Sequence, residues 1–283
     1  MPTVLQNIFR TICILLLTTF WSAVTLIRLL WEWWKYKDPS GRVDEYPNAF
    51  CGSRHPKNPL MVMLHGFLNS VFVLAIKNLS VVALDLRGYG ETDKPTGVSN
   101  YDTETLAADV VEAIEKLGAM NRPDLIADRL IILNVPHPKA FMKVVRTKST
   151  QLLKSWYIFL FQCPMLAELR IKANDFAFLE QIFRSSKGGG LVHPENFTDE
   201  DMEAWKYTFG TPNAITPPLN YYRAGMMVAG KRHFSGEPVR PKTLIIWELK
   251  IDARLEILEE ASHWVQQDVP QQVNALIKEF IIQ

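Results

Sequence analysis

Pro59-Leu60-Met61-Val62-Met63-Leu64-His65-Gly66-Phe67 is the stretch on which the fold turns. Its first six residues carry no charge and read as a short strand buried on both faces, the pattern of a parallel sheet, and the glycine after them opens a turn at the strand's carboxyl end. Ala261-Ser262-His263-Trp264 stands in the same relation to an apolar run at 255–258. Between the two, Val81-Val82-Ala83-Leu84 is another buried-strand run, and residues 130–135 form a further one stopped by Pro136-His137-Pro138. Residues 106–117 show helical spacing up to Gly118, a suitable C-cap. Residues 243–247 return to strand character, and 269–280 close the chain as an amphipathic helix. The stretch 139–238 is helical and rich in aromatics, broken at Gly188-Gly189-Gly190 and Thr211-Pro212. This order predicts an α/β fold with a doubly wound, mostly parallel sheet. Its core spans 59–138 and 239–283, and 139–238 form a helical cap.

Composition narrows the function classes. A chain of 283 residues with a net charge of +1 and scattered lysines and arginines has no basic stripe, so a nucleic-acid partner gets no support and none is expected. Three cysteines, Cys13, Cys51 and Cys163, lie far apart and outside any C-x-x-C pattern. They support neither a disulfide framework nor a metal site and fit a reducing compartment. No cofactor is implied, and oligomeric state is not legible.

The amino-terminal segment is apolar enough to span a bilayer. Residues 11–27 carry no charge, and continuing past Arg28 through Leu29, Leu30 and Trp31 brings the run to about the 20 residues that cross a membrane. Arg28 can snorkel, and Trp31, Trp33, Trp34 and Tyr36 form an aromatic belt of headgroup type. Residues 8–34 are thus expected to be a single transmembrane anchor, with 35–58 a polar tether. Arg10 on one side against Arg28, Lys35, Lys37 and Arg42 on the other places the bulk of the chain in the cytosol by the positive-inside rule. The expected location is a membrane, that of the endoplasmic reticulum. The sequons at Asn78 and Asn196 point the other way and weigh less, because Thr198 is better explained as the N-cap of a helix starting at Asp199.

Several motifs have a family likeness. Leu64-His65-Gly66-Phe67, the run Val82-Ala83-Leu84-Asp85-Leu86-Arg87-Gly88-Tyr89-Gly90-Glu91-Thr92-Asp93, Ser155-Trp156-Tyr157 with Phe161-Gln162, Pro218-Leu219-Asn220-Tyr221-Tyr222-Arg223, and Ala261-Ser262-His263-Trp264 are spread over most of the chain. With the apolar amino terminus, they make it resemble the membrane-anchored, epoxide hydrolase-like branch of the α/β-hydrolase superfamily. The resemblance implies hydrolysis of epoxides, lipid-like ones at a membrane, to diols through a covalent ester. An aspartate on a strand-to-helix turn attacks the ring while two cap tyrosines protonate its oxygen, and a histidine oriented by a carboxylate activates water. It implies Tyr157 and Tyr222 as the tyrosine pair, His263 as the base and the backbone N–H of Phe67 as half of the oxyanion hole. Asp85 lies in a turn that is structural in the family. His137 and His55 read as plain loop histidines.

The chain also departs from that pattern. No Gly-x-Asp-x-Gly, Gly-x-Ser-x-Gly or Gly-x-Cys-x-Gly occurs, so no nucleophile is assigned. The helix ending at Gly118 runs through Ala119-Met120-Asn121-Arg122 straight into Pro123, where the family has a strand, its elbow and a helix. Asp252 and Glu248 are both weak candidates for the triad acid, since too few residues separate Asp252 from His263 for the usual intervening helix. The expected consequences are an incomplete core sheet, impaired catalysis and a poorly stable domain with unpaired strand edges. The alternatives are a non-catalytic membrane-tethered binding protein or a truncated isoform or gene-model product.

Overall fold

The computed structural model describes residues 60–67, 80–117, 128–135, 149–185, 190–228, 241–247, 255–258 and 260–282, with isolated positions at Ala23, Phe141, Val144 and Thr147. Apart from Ala23, the expected anchor and tether lie outside the described residues, as do His55, His137, the Arg122–Pro123 junction, Glu248 and Asp252. No helix among the described residues is long and apolar enough to cross a membrane.

Five strands are described: β1 (Leu60–Leu64), β2 (Ser80–Leu84), β3 (Arg129–Leu133), β4 (Lys242–Trp247) and β5 (Leu255–Ile257). Every pairing among them is parallel, as continuous apolar runs require. They form two groups, β1-β2 and β3-β4-β5, with Met61 opposite Val81 in the first and Ile131 opposite Leu244 in the second. One side of β1 and one side of β3 therefore carry no ladder among the described strands. Neither strand has a buried residue, and Leu64 is 49% exposed. Met61 nevertheless packs with Ile131 and Leu133 against a core of Leu244, Ile246, Val273, Ile277 and Phe280, so the two groups share one apolar layer.

The helices have local reasons to form. Helix α1 (Thr103–Lys116) starts where the Asp102 carboxylate accepts the Thr105 N–H at 2.8 Å, with Glu104 in its first turn and Lys116 in its last, matching the helix dipole. Its C-cap is Leu117, one residue before the glycine expected there. Between β3 and β4 come α2 (Ser149–Lys154), α3 (Trp156–Leu160), α4 (Leu166–Arg184), α5 (Asp199–Gly210) and α6 (Thr216–Val228). The N-cap expected at Thr198 is present as a full capping box with Asp201. Helix α4 is interrupted at Ala173 and by three left-handed residues, Asn174, Asp175 and Phe176, and the Lys206 ammonium donates to the Asp175 carboxylate there at 2.9 Å. Helix α7 (Val265–Asp268) and α8 (Pro270–Ile282) follow β5.

These cap helices bury their own aromatic core of Phe161, Phe176, Phe183, Phe197, Phe209 and Leu219. Trp264, from the loop after β5, is buried in the same cluster, and Phe67, from the turn after β1, packs against it. The ends of two strands are thus brought under the cap, which places the site.

Candidate functional site

The turn after β1 is fixed by its own histidine. The Leu86 N–H donates to His65 Nε2 at 3.0 Å, which leaves Nδ1 to carry the proton and donate to the Gly66 carbonyl at 3.0 Å. Burial lowers the His65 pKa, so the ring is neutral and serves as a brace between β1 and the loop after β2. Tyr89 lies edge-on to it at 4.4 Å. In that loop the Arg87 guanidinium donates two bonds to the Asp109 carboxylate at 2.7 and 2.6 Å. Gly90, at φ +49°, leaves no room for a Cβ beside the Asp85 carboxylate, so the turn there requires glycine.

Beyond this brace, Phe67 turns its ring into the cap. Its centroid is 5.4 Å from Phe161, 6.1 Å from Phe209 and 5.5 Å from Tyr222, the last at 86°. Tyr222 and Tyr157 stand edge to face at 6.1 Å and 83°, with Phe161 touching both at 5.0 and 5.6 Å. Phe67, Tyr157 and Tyr222, predicted from motifs far apart in sequence, therefore meet in one aromatic group. Among the described residues the Phe67 N–H has no hydrogen-bond partner.

The tyrosines differ in what their hydroxyls do. Tyr101 donates to the Pro95 carbonyl at 2.8 Å and Tyr221 to the Arg87 carbonyl at 2.7 Å. The Tyr157 and Tyr222 hydroxyls make no hydrogen bond among the described residues. Burial raises both of their pKa values, and for Tyr222 the nearby Tyr157 adds to the rise, so both stay protonated at neutral pH and can donate. Their helices are locked by a buried arginine. Arg223 donates to the Phe161 carbonyl at 2.8 Å, to both Glu168 oxygens at 3.0 and 3.2 Å and to Asn220 at 3.1 Å.

His263 joins the site through its backbone and its neighbour. The Asn134 side-chain amide donates to the His263 carbonyl at 2.5 Å, while the Asn134 N–H reaches the Ile246 carbonyl at 3.1 Å. Asn134 is buried and left-handed, φ +51°, a conformation asparagine tolerates better than most residues. It ties the ends of β3 and β4 to the histidine loop. The Trp264 ring sits 4.8 Å from Phe183 inside the cap cluster, and the His263 ring, itself exposed, is edge-on to Trp264 at 5.1 Å.

Sequence reasoning passed over Asn134 and Asp268. The Asp268 carboxylate accepts the Ser262 N–H at 2.7 Å and the His193 N–H at 2.8 Å. An asparagine at a strand's carboxyl end was the available signal for the first; no local signal marked the second. Among the described residues no three His, Cys, Asp or Glu side chains are grouped as a metal site would need.

No family model matches the chain. It is 40% identical over 235 residues to Epoxide hydrolase 2 of Caenorhabditis elegans, covering 71% of this chain and 65% of that protein. It is 34% identical over 265 residues to human Epoxide hydrolase 4, covering 79% and 72%. The chain thus spans just under two thirds of the length of the Caenorhabditis elegans relative. Among solved structures, a Bacillus megaterium epoxide hydrolase in complex with an inhibitor superposes with a TM-score of 0.63 at 25% identity, over 80% of this chain and 94% of that one. These likenesses show the family: the chain belongs to the epoxide hydrolase-like family of α/β-hydrolases.

Proposed function

We propose that this chain binds epoxides beneath its cap and turns them over poorly. Tyr157 and Tyr222 receive the ring oxygen, Phe67 and Phe161 cover the apolar substituent, and His263 is the base for water. The observation that carries the reading is the contrast among hydroxyls: Tyr101 and Tyr221 donate to backbone carbonyls, whereas Tyr157 and Tyr222, side by side, donate to no described group. A protonated phenol matches a developing alkoxide better than water does, so two such donors polarise a strained C–O bond.

Opening the ring through a covalent ester also needs a carboxylate at a strand-to-helix elbow. No elbow motif stands in the sequence, and β1 and β3 each have one side without a ladder among the described strands, which supports a missing strand. The sequence passes directly from Arg122 to Pro123 where that segment belongs, which points to a skipped exon or a gene-model gap. Residues 8–34 anchor the chain in a membrane with the hydrolase-like part on the cytosolic side, so lipid-like epoxides are the expected ligands.

Titrating the full chain with styrene oxide while following diol formation tests this. Saturable binding that weakens about tenfold in Tyr222→Phe, with negligible diol, is expected. A substrate-derived ester trapped on any aspartate or glutamate overturns the impairment, and absence of binding overturns the pocket. Reading the transcript across the Arg122–Pro123 junction checks the missing segment, and retention in carbonate-washed membranes checks the anchor.

A further inference from the structure

We propose that Asp268 is a positioning residue that couples the cap to the loop carrying His263. The inference rests on the reading of His263 as the base and adds a device that sets where that base stands relative to the cap tyrosines. Asp268 is 2% exposed, and its two carboxylate oxygens serve different parts of the molecule. One accepts the N–H of Ser262, adjacent to His263, at 2.7 Å. The other accepts the N–H of His193 at 2.8 Å, where the cap chain enters the 3-10 turn Pro194–Asn196. A third tie comes from the same turn, as the Asn196 side-chain amide donates to the Asp268 carbonyl at 2.9 Å.

A buried carboxylate is tolerated only when its oxygens are met by donors. Among the described residues no cation pairs with Asp268, and the two side-chain bonds it accepts are both from main-chain N–H groups. Moving the cap away from the core would strip one donor from a buried charge, so the cap turn and the histidine loop are held as one unit. The loop transmits this to the imidazole: the Trp264 N–H donates to Ser262 Oγ at 3.1 Å, and Asn134 holds the His263 carbonyl. Tyr157 and Tyr222 ride on the cap and His263 on the core, so their relative placement depends on this bridge.

Hydrogen exchange on the full chain, without ligand, tests the coupling. In Asp268→Asn one oxygen becomes an NH₂ that cannot accept, so the Ser262 and His193 amides should both exchange about tenfold faster or more, with the midpoint of the His263 titration, followed by NMR, displaced. Asn196→Ala, which removes the cap turn's bond to the Asp268 carbonyl and leaves the carboxylate in place, should speed exchange at Ser262 together with His193. Unchanged exchange at Ser262 in both variants overturns the proposal, and so does loosening confined to the cap turn in Asn196→Ala if Asp268→Asn fails to fold. No substrate is involved, so failed epoxide binding refutes the functional reading without touching this result, and unaltered exchange refutes the bridge even where epoxide binds.

Discussion

The Tyr221 hydroxyl donates to the Arg87 carbonyl at 2.7 Å, while Tyr222, the next residue on the same helix, points its ring at Phe67 and Tyr157. Successive helical residues project about 100° apart, so one side chain fastens the cap to the loop after β2 and the other faces the rings of Phe67 and Tyr157. Tyr221→Phe should lower stability by about 1 kcal/mol and leave epoxide affinity unaltered. Tyr222→Phe should do the reverse, weakening affinity with little change in the urea midpoint. Equal loss of stability in both variants would make the Tyr222 hydroxyl structural.

Arg223 is buried with both Glu168 oxygens against its guanidinium. Arg223→Met leaves the Glu168 charge uncompensated in the cap, at a cost of about 3–5 kcal/mol. Adding Glu168→Gln should recover part of that loss. A double-mutant cycle by denaturant unfolding measures the coupling, and strictly additive losses would contradict it.

Two glycines predict opposite signs. Gly88 has φ +87°, and a methyl group there would lie 2.5 Å from the Pro217 side chain of α6. Gly88→Ala should therefore cost more than about 2 kcal/mol and loosen the seating of the cap. Gly225 lies within α6 with nothing within 4 Å of the same position, so Gly225→Ala should stabilise by about 0.5–1 kcal/mol. Thermal melts of the two variants side by side check both.

Stability should fall at both ends of the pH scale for different reasons. Burial raises the pKa of Tyr89, Tyr157, Tyr221 and Tyr222. The unfolded chain then releases these protons from about pH 10 while the native state holds them, so their contribution is complete below that pH and is lost as pH rises above it. Burial lowers the pKa of His65, so its contribution is present above about pH 6.5 and is lost as pH falls, because the unfolded state takes up the proton first. Urea midpoints from pH 5 to 11 should trace both limbs. Tyr222→Phe should flatten the alkaline limb, and a midpoint that rises above pH 10 would contradict it.

β1 and β3 each have one side without a ladder among the described strands and no buried residue. Half-exposed apolar strand edges template association, so the full chain in detergent should aggregate on mild heating and unfold with a shallower urea dependence than its length implies. A sharp, reversible transition of ordinary slope would contradict this.

The sequence by itself determined the parallel strands, the inserted helices, the cap at Thr198 and the membership of Phe67, Tyr157, Tyr222 and His263 in recognisable motifs. Those features are local: a buried parallel strand is a short apolar run, a helix start is a hydroxyl before acidic residues, and a motif is contiguous. What only the tertiary structure decided is which side chains tie distant segments together. The motif singles out Tyr222, but nothing in it tells that the neighbouring Tyr221 hydroxyl fastens to the Arg87 carbonyl. His65, Asn134 and Asp268 gain their roles from partners 21, 129 and 75 residues away. A hydrogen bond between distant backbone segments leaves no periodicity to read, because its geometry exists only once the chain has closed on itself.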